Sequence, residues 1–165
     1  MLNEIITMYR DLERCIQQIM TIACDSHCSV CRSPCCKIDF CVESLQSPFL
    51  EAIRNPLVPL KDWDASLGWL TSKGCRLPAG RPPVCYEFIC QTIASAQPDA
   101  SQCDALHQLG MLLTIAGRRA AGTRHLVEVT DLNRLNHRRL IHQLQQAKTA
   151  LDCLKATAFA DGHSL

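Results

Sequence analysis

The chain has 165 residues, of which 47% are hydrophobic and 20% charged, and its net charge is +1 at pH 7. That length and balance suit a single domain with a real core and exclude a disordered chain. Aromatics are 5% and valines few, which favours helices over a sandwich or barrel, and the bulk charge gives no case for a nucleic-acid partner.

Residues 2 to 24 carry Leu2, Ile5, Ile6, Tyr9, Leu12, Ile16, Ile19 and Ile22 at helical spacing. Glu4, Arg10, Asp11, Glu13, Arg14 and Gln17 are assigned to the opposite, polar face. This helix either faces the core or forms a dimer.

Residues 24 to 90 hold nine of the 12 cysteines and seven of the eight prolines. Short helices are predicted over 47–54 and 62–72. Asn55-Pro56-Leu57-Val58-Pro59 is predicted as an extended linker, because each proline biases its predecessor away from helix. So broken a segment builds little core alone, and metal crosslinks would supply the missing constraint.

Beyond it, one helix is predicted from about Val84 to Ala96, and a second after Pro98 with Asp99 or Ser101 as cap. Leu106, Leu109, Leu112, Leu113 and Ile115 form the stripe of the second, and Gly117 and Gly122 end it. A third runs from about Thr130 to Thr157, burying Leu132, Leu135, Leu140 or Ile141, Leu144, Leu151 and Leu154. The two long helices would form an antiparallel hairpin packed on the N-terminal helix. The expected fold is therefore mainly α: a helical bundle with an irregular, metal-stapled cysteine-rich loop module. Its parts are an N-terminal helix over 1–23, a cluster module over 24–92 and a hairpin over 99–157, within a single domain of 1–165.

No signal-peptide pattern opens the sequence and no apolar run reaches the ~18 residues of a membrane span. The expected compartment is the cytoplasm, where thiols stay reduced and cysteines are better explained as metal ligands than as disulfides. Cys28-Ser29-Val30-Cys31 has the spacing by which a tight turn aims two sulfurs at one ion. Cys35 and Cys36 follow, then Cys75, Cys85 and Cys90. Adjacent side chains diverge, so Cys35 and Cys36 suit two sites, or one binds while the other packs. Cys85 and Cys90 would lie about 140° apart on a regular helix. Either the first turn is distorted at Cys85, or the two serve separate sites.

The pattern Cys28-x2-Cys31-x3-Cys35-Cys36, then Gly74-Cys75-Arg76-Leu77-Pro78, then Arg81-Pro82-Pro83-Val84-Cys85-x4-Cys90 resembles the YkgJ-like cysteine-cluster family. This is a bacterial family of zinc- or iron-chelating domains. The resemblance covers residues 24 to 92. It implies metal binding and carries no established reaction. Members often have a further cysteine shortly before the Gly-Cys pair. Here Ser66-Leu67-Gly68-Trp69-Leu70 has none, so Cys41 or Cys24 stands as its replacement. With Cys41 the matching cysteines number eight, enough for two four-thiolate sites. Zinc, iron and an iron–sulfur cluster all suit such ligands. Arg32, Lys37, Arg76 and Arg81 are placed to offset thiolate charge.

His27 beside the first pair is read as a surface residue more readily than as a ligand. Cys15, Cys103 and Cys153 are read as packing residues, and Trp63 and Trp69 as covers over the cluster. Residues 118 to 165 carry eight Arg and Lys against four Asp and Glu, read here as a solvated face. No catalytic motif is found. The expected function is metal binding through thiolates, with a structural or partner-binding role and a protein partner. The alternatives are an iron–sulfur or iron-dependent redox protein, and a metal carrier. No membrane or nucleic-acid partner is expected.

Overall fold

The computed structural model describes residues 1–28, 30–31, 37–58, 61, 63–71 and 74–159, apart from the side chain of Asp25. The described residues are mainly helical. Helix α1 spans Leu2–Cys28, α2 Ile38–Gln46 and α3 Pro48–Arg54. Strands β1 (Leu70–Thr71) and β2 (Gly74–Cys75) pair antiparallel, with Leu70 opposite Cys75. Then come α4 (Val84–Glu87), α5 (Gln91–Ala96), α6 (Ala100–Ala120) and α7 (His137–Ala158).

The main core is formed where α1, α6 and α7 meet. Ile5, Tyr9, Leu12 and Ile16 of α1 pack with Leu106, Leu109 and Leu113 of α6 and with Leu140, Leu144 and Leu151 of α7. His107 and Gln108 in the first half of α6 line a groove with Cys153 and Leu154 in the last half of α7. The two long helices are thus antiparallel, as the apolar periodicity predicts. The Asp99 side chain accepts from Gln102 N at 2.8 Å and caps α6. Ser47 caps α3 by accepting from Leu50 N, with Pro48 in its first turn.

Several predicted elements differ. Helix α1 runs one turn further than its apolar stripe suggested, so Cys28 is its last residue. The helix expected over 62–72 is, in its described part, a set of turns over 63–69 that leads into β1. Asp64 Oδ1 accepts from Ser66 N and Leu67 N, at 2.7 and 2.8 Å, and Gly68 sits at φ +64°. Such a side-chain turn competes directly with helix. The expected linker at 55–59 is a tight turn through residue 58: Leu57 N and Val58 N both donate to the Arg54 carbonyl. Pro59 lies outside the described residues.

The helix expected over 84–96 is broken in two. Phe88 and Cys90 adopt extended backbone between α4 and α5. No breaker residue explains this; tertiary contacts outweigh propensity. Tyr86 and Ile93 are both buried, and the backbone of Tyr86 abuts α6 at Gly110. The third helix starts at His137 rather than near 130. Asp131 instead caps a 3₁₀ turn over Leu132–Arg134, and Asn136 caps α7 by accepting from Arg139 N at 3.0 Å. Gly117 does not end α6 but lies within it, against Leu126.

Candidate metal centre

The segment with the Gly-Cys and Arg-Pro-Pro elements is held by a side chain some 70 positions upstream. Glu13 is 0% exposed, on the buried stripe of α1 between Tyr9 and Ile16. Its carboxylate accepts from Gly80 N at 2.8 Å, Arg81 N at 2.9 Å and Tyr86 Oη at 2.8 Å. Burial raises its pKa above the usual carboxyl value, against the opposing pull of these three donors and the Arg81 charge. Gly80, at φ +82°, presses against Arg54 Cβ and the Leu50 carbonyl of α3. A side chain there would be driven into backbone, so the close approach that turns its N–H toward Glu13 requires glycine.

Glu13 and Gln17 were assigned to the polar face, and the structure corrects this. Gln17 faces the same loop. With its amide turned so that donors meet acceptors, it donates to the Pro78 carbonyl at 2.8 Å and accepts from Arg81. Glu13 is four residues after Tyr9 and three before Ile16, so the helical period itself placed it on the apolar stripe. A charge on that stripe was the legible signal.

Arg81 is the electrostatic centre of the loop. Its Nε donates to the Leu77 carbonyl at 2.8 Å and its Nη2 to the Cys75 carbonyl at 3.3 Å. Its guanidinium feels the Cys75 and Cys85 side chains, and its pKa is raised by the acidic groups around it despite burial. Cys75 is partly buried. Burial pushes its thiol pKa up, while Arg81 and the Leu77 N–H pull it back and Cys41 and Glu13 add to the rise. Cys75 thus links two pairs: it shares the Arg81 cation with Cys85, and it feels Cys41, with which it packs in a small core.

Cys41 belongs to a second, smaller core with Val58, Trp69 and Leu77, against which Cys75 and Trp63 pack. A Cβ on Gly68 would lie 3.0 Å from Cys41 Sγ. Cys41 is therefore seated against the 66–70 stretch, where the family pattern has a cysteine and this chain has none. Trp69 is 0% exposed; its Nε1 donates to Ser44 Oγ at 2.7 Å, and Ser44 Oγ donates to the Cys41 carbonyl. Trp63 meets Trp69 edge-on, with ring centroids 5.1 Å apart. The buried Arg54 guanidinium stacks over Trp69 at 5.2 Å and donates to the Val58 carbonyl.

The other predicted ligands are placed less centrally. Cys28 and Cys31 are exposed at the end of α1, joined by a turn in which Cys31 N donates to the Cys28 carbonyl at 3.3 Å. Cys24 lies one turn earlier on the same helix face as Cys28. Cys85 is exposed in α4, while Cys90 precedes α5, without a capping hydrogen bond from its side chain, and packs against the main core. The break in the helix removes the 140° conflict but leaves the two on different elements. Cys35 and Cys36, with Arg32, lie outside the described residues. Among the described residues, no three Cys, His, Asp or Glu side chains are grouped so as to hold a metal ion.

Of the residues read as bystanders, His27 is half-buried and hydrogen-bonds Ser26 Oγ at 2.7 Å. Cys15 packs on the core, whereas Cys153 is exposed rather than buried. Lys37 and Arg76 are exposed. Among the described residues no helix is long and apolar enough to cross a membrane. Comparison of the chain with protein-family models, with curated proteins and with solved structures finds no match.

Proposed function

We propose that this chain is a thiolate metal-binding protein. Zinc or iron, including an iron–sulfur cluster, would be held by cysteines drawn from the 28–41 and 75–90 segments. The observation that carries this reading is that Cys75 packs with Cys41 in one small core and shares the Arg81 cation with Cys85, on a loop fixed by buried Glu13. A soft ion bound there would carry net negative charge from its thiolates, which a fixed guanidinium offsets. Binding would also release the proton that burial holds on Cys75. The described thiols alone do not close a coordination shell, so the reading calls on Cys35 and Cys36 to complete it.

The resemblance to the YkgJ-like family agrees with this set and brings no reaction. A shell saturated by four thiolates has no open position for substrate, which favours a structural or partner-binding role over catalysis. Such an ion would staple the cluster segment to α1, the constraint that its prolines and short elements call for.

The test is metal content in matched variants. Cys75→Ser and Cys85→Ser are expected to lower bound metal by half or more and to loosen residues 74–90 in hydrogen exchange. Cys153→Ser, on the far side of the hairpin, is expected to keep the full complement. Equal metal in all three proteins would refute the ligand assignment.

A further inference from the structure

The arginines of the C-terminal half are solvent-exposed, as a solvated face requires, and six of them fall in one region of the fold. Since α6 and α7 are antiparallel, the end of α6, the 121–136 connection and the start of α7 form one tip of the hairpin. Arg118, Arg119, Arg124, Arg134, Arg138 and Arg139 are all exposed there, and residues 118–139 contain no lysine. The only two carboxylates in that stretch are already occupied. Glu128 accepts from His125 N, and Asp131 accepts from Asn133 N and pairs with Arg134 at 3.6 Å. Arg118 donates to the Thr123 carbonyl. The side chains of Arg119, Arg124, Arg138 and Arg139 engage no described residue.

Two further features bear on what this tip meets. The first turn of α7 holds His137, Arg138 and Arg139 and no acidic residue. Cations at a helix N-terminus oppose its dipole, so this placement costs stability within the fold itself. An incoming anion would reverse that cost. In addition, none of the large exposed hydrophobic residues lies within 118–139, and that stretch holds no aromatic residue. A protein interface needs apolar anchors at its centre, and single-stranded nucleic acid needs stacking platforms. The tip offers exposed guanidinium forks, in excess over its carboxylates Glu128 and Asp131 and the nearby Glu43 of α2, and such forks suit phosphate oxygens.

We propose that the α6–α7 tip is a docking surface for the phosphodiester backbone of a double-stranded nucleic acid, bound without sequence preference. The proposal stands independently of the metal reading. Binding rests on counterion release, so its logarithm falls linearly with the logarithm of salt concentration. Four free arginines give a slope of about −4, or roughly a hundredfold loss between about 50 and 200 mM salt.

The test is fluorescence anisotropy of the full chain with mixed-sequence DNA and RNA duplexes, and with polyglutamate, across that salt range. Binding of either duplex with the stated slope is expected, the tighter duplex naming the source of the phosphates. Arg138→Gln with Arg139→Gln should reduce the slope by about 2 while Tm is unchanged or raised. Lys148→Gln with Lys155→Gln, further along α7, should leave the slope alone. No duplex binding at low salt, a slope unchanged in the arginine variant, or tighter binding of polyglutamate would each overturn the proposal.

Discussion

Replacing Glu13 with alanine is expected to destabilise the protein by about 3 kcal/mol or more, because it orphans two buried donors and one part-buried donor. Gly80 N, Arg81 N and Tyr86 Oη all lose their acceptor at once, in a place where water does not reach Glu13. The loss is larger than that of an average hydrogen bond, since each donor keeps its desolvation cost with nothing in return. Urea denaturation would measure it. Hydrogen exchange should locate it: the amides of Gly80 and Arg81 should lose protection well beyond those of α7. A cost under about 1 kcal/mol would mean that the loop is held by its other contacts. The carboxyl also predicts a pH dependence. Burial raises its folded-state pKa above the usual value, so the folded chain takes up this proton before the unfolded chain does. Its contribution is complete below the ordinary carboxyl pKa and is lost as pH rises through the raised one. Glu13→Ala should lack that component.

Gly110→Ala is expected to destabilise by about 2–3 kcal/mol, by overpacking against backbone. A Cβ there would lie 2.2 Å from the Tyr86 carbonyl oxygen and 2.9 Å from its carbon. The competing effect is real, because alanine is favoured over glycine in a helix interior by about 1 kcal/mol. Packing wins, since α4 cannot simply retreat. Tyr86 is tied to Glu13, and the Thr114 hydroxyl of α6 donates to the Glu87 carboxylate beside it. Moving α4 would displace Cys85 with it. The variant should therefore lower Tm and also disturb Cys85, readable as a changed rate of thiol alkylation in the folded state. A raised Tm would mean that α4 and α6 are not in close contact.

Both residues lie where local pattern and tertiary structure disagree. The apolar period of α1, α6 and α7 was legible, as were the Ser47 and Asp99 caps, because these are set by residues within a few positions of one another. The helix expected over 62–72 failed on Asp64, whose carboxylate turns the backbone on itself. The helix expected over 84–96 failed without any local signal, because Tyr86 is committed to Glu13 and its carbonyl to Gly110. Helix α2 went unpredicted; its Cys41 and Ser44 face the small core under Trp69. In the candidate site, cysteine spacing pointed to Cys75 and Cys85 and to Arg81 as a nearby cation. The spacing says nothing of Glu13, which joins the loop across a sequence separation of 67 residues at Gly80. Long-range hydrogen bonds of this kind leave no periodic trace. Only the oddity of a carboxylate on an apolar stripe betrays them.

Metal content per chain, measured by elemental analysis alongside native mass spectrometry of anaerobically isolated protein, bears most directly on the thiolate centre. At least one zinc or iron per chain is predicted, with colour separating iron from zinc, and with the metal lost together with protection of residues 74–90 on chelation. An ion-free chain whose cluster cysteines are joined as disulfides would contradict it.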